Sequence, residues 1–252
     1  MAVTGTVDAE ARRAALADRL AHDGALELAT ASQEWGVHPM TIRRDFDAFV
    51  RAGVARRVRG GLVALAGDDF DQRRHQHAAA KRQIAAKLLA LVPADATVAL
   101  DSSTTVHALA GALTDQRVTV VTNGLGAFHA LHGREGVRTY LTGGEREEQN
   151  QSLVGSLAVQ AISQFSVDLC LLSAMSVDPV FGTSELTLEQ VAVKEAMAEA
   201  ARTCVLAVDA SKLQTRSRFR SLALSRYDVL VTEIDPDDER LDPYRGLVPE
   251  IR

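Results

Sequence analysis

Along the first quarter of the chain, apolar positions recur at helical spacing and are interrupted by turn residues at short intervals. Leu16 and Leu20 lie one turn apart in a predicted helix, Ala11 to Asp23, that Gly24 stops. Leu26-Glu27-Leu28 alternates as a short strand does. Thr30 and Gln33 have the spacing of a capping box, opening a short second helix that ends at Trp35-Gly36, with Trp35 read as a core anchor. After the turn Gly36-Val37-His38, Pro39 suits the first position of a third helix, where its missing N–H costs nothing. That helix sets Ile42, Phe46 and Phe49 on one face and runs to about Ala52, with Gly53 as its end. Two strands, 55–59 and 62–65, follow and meet in a hairpin turn at Gly60-Gly61. This succession predicts a winged helix-turn-helix over residues 8–66.

Beyond it the texture changes. Gly67 to Phe70 is acidic and loose, so residues 67–80 read as a linker and the start of a connecting helix, Gln72 to Leu91, with Ile84, Leu88 and Leu91 on one side. In the remainder, 81–252, short apolar runs at 97–101, 118–123, 137–142, 168–174, 203–209 and 227–233 alternate with helical stretches. That rhythm predicts βαβ units and a largely parallel sheet, whose ligands sit at the C-terminal ends of the strands. Polar residues fall at those ends. Asp101-Ser102-Ser103-Thr104-Thr105 follows the first strand and begins a helix, where hydroxyls and free N–H groups suit a phosphate and also suit plain capping. Thr122-Asn123-Gly124, Gly143-Gly144 and Asp209-Ala210-Ser211-Lys212 end three further strands. Gly182 lies in a loop after Asp178, and Lys194 lies in a helix over 187–201. The tail Ile234 to Arg252 either adds an edge strand or packs loosely.

Charge sharpens the reading of the first domain. The chain carries a formal charge of -5, yet residues 38–66 hold six arginines against only Asp45 and Asp47. Local charge sets phosphate attraction. With the apolar face turned inward, Thr41, Arg43, Arg44 and Arg51 project toward solvent or phosphates, and Arg56, Arg57 and Arg59 line the hairpin. Such a helix docks double-stranded DNA: its start at Pro39-Met40 offers unpaired N–H groups, Thr41 and Arg44 reach base edges, and the hairpin arginines with Gly60 hold the backbone or enter the minor groove. Cys170 and Cys204 sit inside apolar runs, as buried thiols do. His75 and His77 would diverge by about 200° on a helix. No metal and no cofactor is expected. The chain has neither an apolar run of membrane-spanning length nor a secretory leader at Met1 to Glu10, so a cytoplasmic protein with no membrane partner is expected.

The run Thr41-Ile42-Arg43-Arg44-Asp45-Phe46, the downstream Gly53 and the wing Arg59-Gly60-Gly61 resemble the N-terminal signature of the DeoR-type transcriptional regulators of sugar metabolism. His38 stands where that family usually has Ser as the cap of the recognition helix. The later segments resemble its effector domain: 101–105 its phosphate loop, Val121-Thr122-Asn123 its second loop, Leu141-Thr142-Gly143-Gly144 its third, Val193-Lys194 its helix and 209–212 its late strand end. Ser103 replaces a common Gly. The resemblance implies an α/β domain similar in fold to ribose-5-phosphate isomerase and glucosamine-6-phosphate deaminase, sensing a phosphorylated sugar through Asp101 to Thr105, Thr122, Asn123, Gly143, Gly144, Gly182, Lys194, Asp209 and Lys212.

The expected protein is therefore a repressor of a carbohydrate operon, with no catalytic residue. Binding two operator half-sites calls for a homodimer or a higher homo-oligomer. The alternative is a sugar-phosphate isomerase or deaminase with an accessory DNA module, for which Asp101, Asp178, Glu185 and Asp209 are the candidate bases. None of them lies in a dense acidic cluster, and the isomerases' own acidic signature is absent.

Overall fold

A computed structural model of the chain describes residues 4–51, 55–64, 70–113 and 117–252. By their contacts the residues fall into two compact units, Met1–Asp68 and Asp69–Arg252.

The smaller unit runs α1 (Thr4–Asp23), β1 (Ala25–Glu27), α2 (Leu28–Glu34), α3 (Pro39–Arg51), β2 (Ala55–Val58) and β3 (Gly61–Ala64), with a three-stranded antiparallel sheet in the order β1-β3-β2. Leu16 and Leu20 of α1 meet Ile42, Phe46 and Phe49 of α3 over Leu26 and Leu62 of the sheet, all buried. Gly24, at φ +72°, donates its N–H to Leu20 O at 3.0 Å and ends α1. Gly53, expected to end α3, lies outside the described residues.

Three local expectations need correction. Helix α2 starts at Leu28, so Thr30 sits inside its first turn and donates to the Glu27 carboxylate at 2.9 Å instead of capping. Trp35 is 39% exposed: the chain leaves the helix there and turns at Gly36, φ +59°, which carries the indole off the stripe that Ala31 buries. The hairpin turn is Arg59-Gly60, with Gly60 at φ +90°, and Gly61 opens β3. Gly61 is needed for another reason, since a Cβ there would come within 2.0 Å of Leu26 O on the neighbouring β1.

The larger unit runs α4 (Phe70–His75), α5 (Ala78–Leu89), β4 (Thr97–Leu100), α6 (Thr104–Ala112), β5 (Val118–Thr122), α7 (Leu125–Leu131), β6 (Val137–Leu141), β7 (Glu145–Glu147), β8 (Ser152–Val154), α8 (Ser156–Ile162), β9 (Val167–Leu172), β10 (Ser176–Asp178), β11 (Gly182–Glu185), α9 (Leu188–Ala200), β12 (Ala201–Ala207), β13 (Phe219–Arg220), β14 (Val229–Val231) and β15 (Glu250–Ile251). Seven strands form one parallel sheet in the order β15-β14-β12-β9-β4-β5-β6. Alternate residues of its central strands feed two cores. Val98, Leu100, Leu169 and Leu171 face the side with Ile84 and Leu109, while Ala99, Cys170, Leu172 and Cys204 face Ile162 and Met197. Burial on both faces explains why these strands read as unbroken apolar runs.

The tail is packed structure. β15 pairs with β14 as an edge strand, and the buried Tyr244 hydroxyl donates to Val177 O at 3.0 Å while accepting from Gln214 N at 2.7 Å. From Phe70 onward the segment read as linker is also structured. Phe70 is buried edge-on against His107, ring centroids 5.4 Å apart, in a socket where a side chain at Gly126 would strike its ring. The single helix expected over 72–91 is two, broken at His77, φ +51°. The break frees carbonyls at the end of α4, and Lys81 from the next helix supplies the donors: its buried Nζ bonds Gln76 O at 2.8 Å and also Arg73 O.

Candidate functional site

In the smaller unit, Pro39 opens α3 as expected, and the entry is capped: the Met40 N–H donates to His38 Nδ1 at 3.2 Å and the Thr41 N–H to His38 O at 2.8 Å. The imidazole thus does the work of the absent Ser. Asp45, on the inner face, is buried and takes Arg12 Nε at 2.7 Å, with Arg13 Nε at 3.7 Å, so its charge is spent on tying α1 to α3. Asp47 takes Arg57, whose Nε lies at 3.2 Å and whose Nη2 also bonds Arg43 O at 3.1 Å. Arg57 therefore braces the hairpin against α3. Arg43, Arg44, Arg51 and Arg59 remain exposed beside Met40 and Gly60, with Thr41 half-buried. Arg44, Arg51 and Arg59 have no hydrogen-bond or ion-pair partner among the described residues. The Arg56 side chain lies outside what is described.

In the larger unit, a cleft of about 570 Å³, mouth included, opens at the C-terminal ends of the sheet strands. Ser102 to Thr105 form one wall. Ser103 caps α6, its Oγ accepting from Val106 N at 3.1 Å, and its own N–H donates to Asp101 Oδ1 at 2.9 Å. Asp101 also takes the Ser173 N–H at 2.8 Å, clamping two strand ends together. Ser103 at the family's Gly position is thus occupied with the helix end, and Thr104 and Thr105 carry the first-turn N–H groups beyond it.

Behind this wall sits a buried ionic cluster. Lys194 Nζ bonds Glu185 Oε1 at 2.6 Å and Ser173 O at 2.8 Å, with Asp101 Oδ2 at 3.4 Å. Burial opposes the ammonium charge, but Glu185 and Asp101 outweigh it and hold the Lys194 pKa above the usual lysine value. Asp209 is buried and accepts from Ser211 N at 3.1 Å, while Lys212 reaches the same cleft, its Nζ meeting Met175 Sδ at 4.0 Å and no other hydrogen-bond partner among the described residues.

Other expected residues stand off the lining. Thr122 Oγ1 accepts from Gly124 N at 3.0 Å and Asn123 Nδ2 donates to Leu153 O at 3.1 Å; a Cβ on Gly124 would lie 2.8 Å from Ser102 Cα, so this loop backs the cleft wall. Gly143 and Gly144 turn at φ +75° and +115°, and Gly144 lies flat against Val154 O. Gly182 does the same against Leu222 O. The cleft instead draws on residues that sequence reasoning missed or weighed otherwise: Arg73 from the segment read as linker, Lys81 from the connecting helix, Asn150, Gln190 and Glu185. Arg73 Nη2 donates to Asn150 Oδ1 at 2.6 Å. Gln190 Nε2 donates to Ser152 Oγ at 2.8 Å and also to Glu147.

The four carboxylates considered as bases are all engaged. Asp178 binds Arg216, which with the Phe181 N–H lowers its pKa to about 2. Glu185 and Asp101 hold Lys194, and Asp209 caps its own loop. Among the described residues no group of three or more His, Cys, Asp or Glu is placed to hold a metal, and no helix is long and apolar enough to cross a membrane.

Residues 76–234 match the DeoR C-terminal sensor domain and residues 12–66 the DeoR-like helix-turn-helix domain. The transcriptional repressor AccR of Agrobacterium fabrum is 32% identical, covering 88% of this chain and 88% of its own length. The glycerol-3-phosphate regulon repressor of Escherichia coli is 28% identical over 85% of this chain and 90% of its own. Among solved structures, the full-length sorbitol operon regulator SorC of Klebsiella pneumoniae is 11% identical, with 84% of this chain and 97% of that one covered at a TM-score of 0.39, a likeness too slight to argue from. With a sensor match over more than half its length, a helix-turn-helix match before it and a 32%-identical repressor spanning nearly all of it, the chain belongs to the DeoR family of transcriptional regulators, not to the enzymes.

Proposed function

We propose that this regulator represses a carbohydrate operon, gripping double-stranded operator DNA with α3 and the β2–β3 hairpin and loosening when a phosphorylated sugar enters the cleft of the larger unit. The observation that carries the ligand class is the Lys212 ammonium sharing one cleft with the start of α6, an arrangement that suits a dianionic phosphate. In this reading Thr104 and Thr105 N–H groups and Lys212 take the phosphate, Ser102 and Gln190 meet the sugar, and Asp101, Asp209 and Lys194 fix the walls. On the DNA side Thr41 and Arg44 read base edges, while Arg43, Arg51, Arg59 and the Gly60 backbone position the duplex. The relatives whose names speak of repression and of glycerol 3-phosphate support the same direction.

Control requires that the ligand prefer one conformation: it shifts the DNA equilibrium only as far as its two affinities differ. Thermal-shift screening of phosphorylated sugars beside their unphosphorylated parents tests the ligand class, since a ligand at 100 times its Kd adds about 2.7 kcal/mol to native stability. The reading expects shifts only with phosphorylated compounds, and their loss in Lys212→Ala. Equal shifts with the free sugars would overturn it.

A further inference from the structure

The large sheet ends on one side at β15, two residues long, and on the other at β6, five residues long. An edge of that length with open main-chain groups recruits another strand unless it is blocked. The ladder to β5 fixes which groups are open. Gly136 O accepts from Val118 N and Thr142 N donates to Thr122 O, so by alternation Arg138 and Tyr140 also bond inward, and the peptide groups of Thr139 and Leu141 point away from the sheet. Among the described residues these outward groups meet no backbone partner. The strand contains no proline to blunt it, and its single charged side chain is Arg138. Its side chains at Arg138 and Tyr140 are exposed, Tyr140 at 41% with its ring edge-on to Phe165 at 5.3 Å; Leu157, on the helix α8 that leads to Phe165, is 65% exposed.

We propose that β6 pairs with the β6 of a second copy of this chain, antiparallel about a two-fold axis at Thr139. The occupant follows from self-complementarity. Thr139 is the central outward-bonding residue, and a two-fold there sets Arg138 of each strand opposite the partner's Tyr140, a guanidinium against a phenol ring, twice. A parallel in-register pairing would set like guanidinium groups side by side. The proposal goes beyond the regulatory reading and does not depend on the ligand or the operator.

Sedimentation of the full-length protein without DNA or effector tests it. Thr139→Pro removes an N–H that the β5 ladder does not use, so the monomer's sheet survives while edge pairing is blocked. The wild type is expected to sediment as a dimer or a multiple of one, and Thr139→Pro to lower the mass about twofold with an unchanged far-ultraviolet spectrum. Tyr140→Lys, setting two cations opposite one another, is expected to raise the dissociation constant about tenfold or more, and Arg138→Glu combined with Tyr140→Lys to restore it. If Thr139→Pro does not fold, the charge pair decides alone. A wild type that stays monomeric at tens of micromolar, a folded Thr139→Pro of unchanged mass, or a double variant no tighter than Tyr140→Lys would overturn the proposal.

Discussion

Arg44 and Lys194 carry the same charge and are handled in opposite ways. Arg44 lies on the outer face of a helix whose two aspartates are already claimed by Arg12 and Arg57, so it has no partner among the described residues and stays in water. Lys194 is buried and takes two carboxylates and a carbonyl. A cation left unpaired at the surface is available to a polyanion and is screened by salt. A cation surrounded by its own carboxylates is a fastening, whereas Lys212 in the cleft has no carboxylate partner among the described residues. The smaller unit thus spends its acids to release arginines, whereas the larger unit spends a lysine to hold acids in place.

The sharpest way to break this contrast is Lys194→Met. Glu185 and Asp101 would be left facing one another in the interior, and losing one partner of a buried pair costs about 3–5 kcal/mol. Thermal unfolding at neutral pH should show a large drop, with part recovered when Glu185→Gln is added. Stability as strong as wild type would mean that Lys194 is no fastening. Arg44→Ala should do the reverse: operator affinity falls by about 1–3 kcal/mol while the unfolding midpoint stays put, and the salt dependence flattens if the contact is to phosphate. Binding by gel shift across a salt series separates the two contributions. Smaller again, His38→Ala should cost about 1 kcal/mol of stability by uncapping α3, and His38→Ser should restore it.

The smallest expected effect concerns His107. Burial first, and Arg74 second, hold its pKa below the ordinary histidine value. The unfolded chain therefore binds a proton that the folded one refuses, so this contribution is complete above the ordinary value and fades as the pH falls below it. Chemical denaturation between about pH 7 and 5 should show declining stability, and His107→Gln should flatten that decline.

The parallel sheet could be read from the chain because strands buried on both faces leave continuous apolar runs, and β4, β5, β9 and β12 all do. The buried stripe of α3 was legible for a similar reason, since Ile42, Phe46 and Phe49 repeat at helical spacing. Reading failed where a single residue's backbone decides. No periodicity announces the left-handed turn at His77 inside a stretch of good helix formers, and Trp35 leaves its helix because of the glycine after it. Within the cleft, residues next to strand ends could be found by position, including Ser102 to Thr105 and Lys212. Arg73, Asn150 and Gln190 could not, because their convergence is made by pairs 77 and 38 residues apart along the chain.

The bend between α4 and α5 is not a hinge. The carbonyls that a flexible joint would leave to water are instead held by the ammonium of Lys81, which belongs to the helix on the far side of the turn and is itself withdrawn from solvent. Flexing the elbow would break bonds made by a buried ammonium. The two short helices are therefore fastened to each other across the left-handed turn, and changing the angle between them means giving up those bonds.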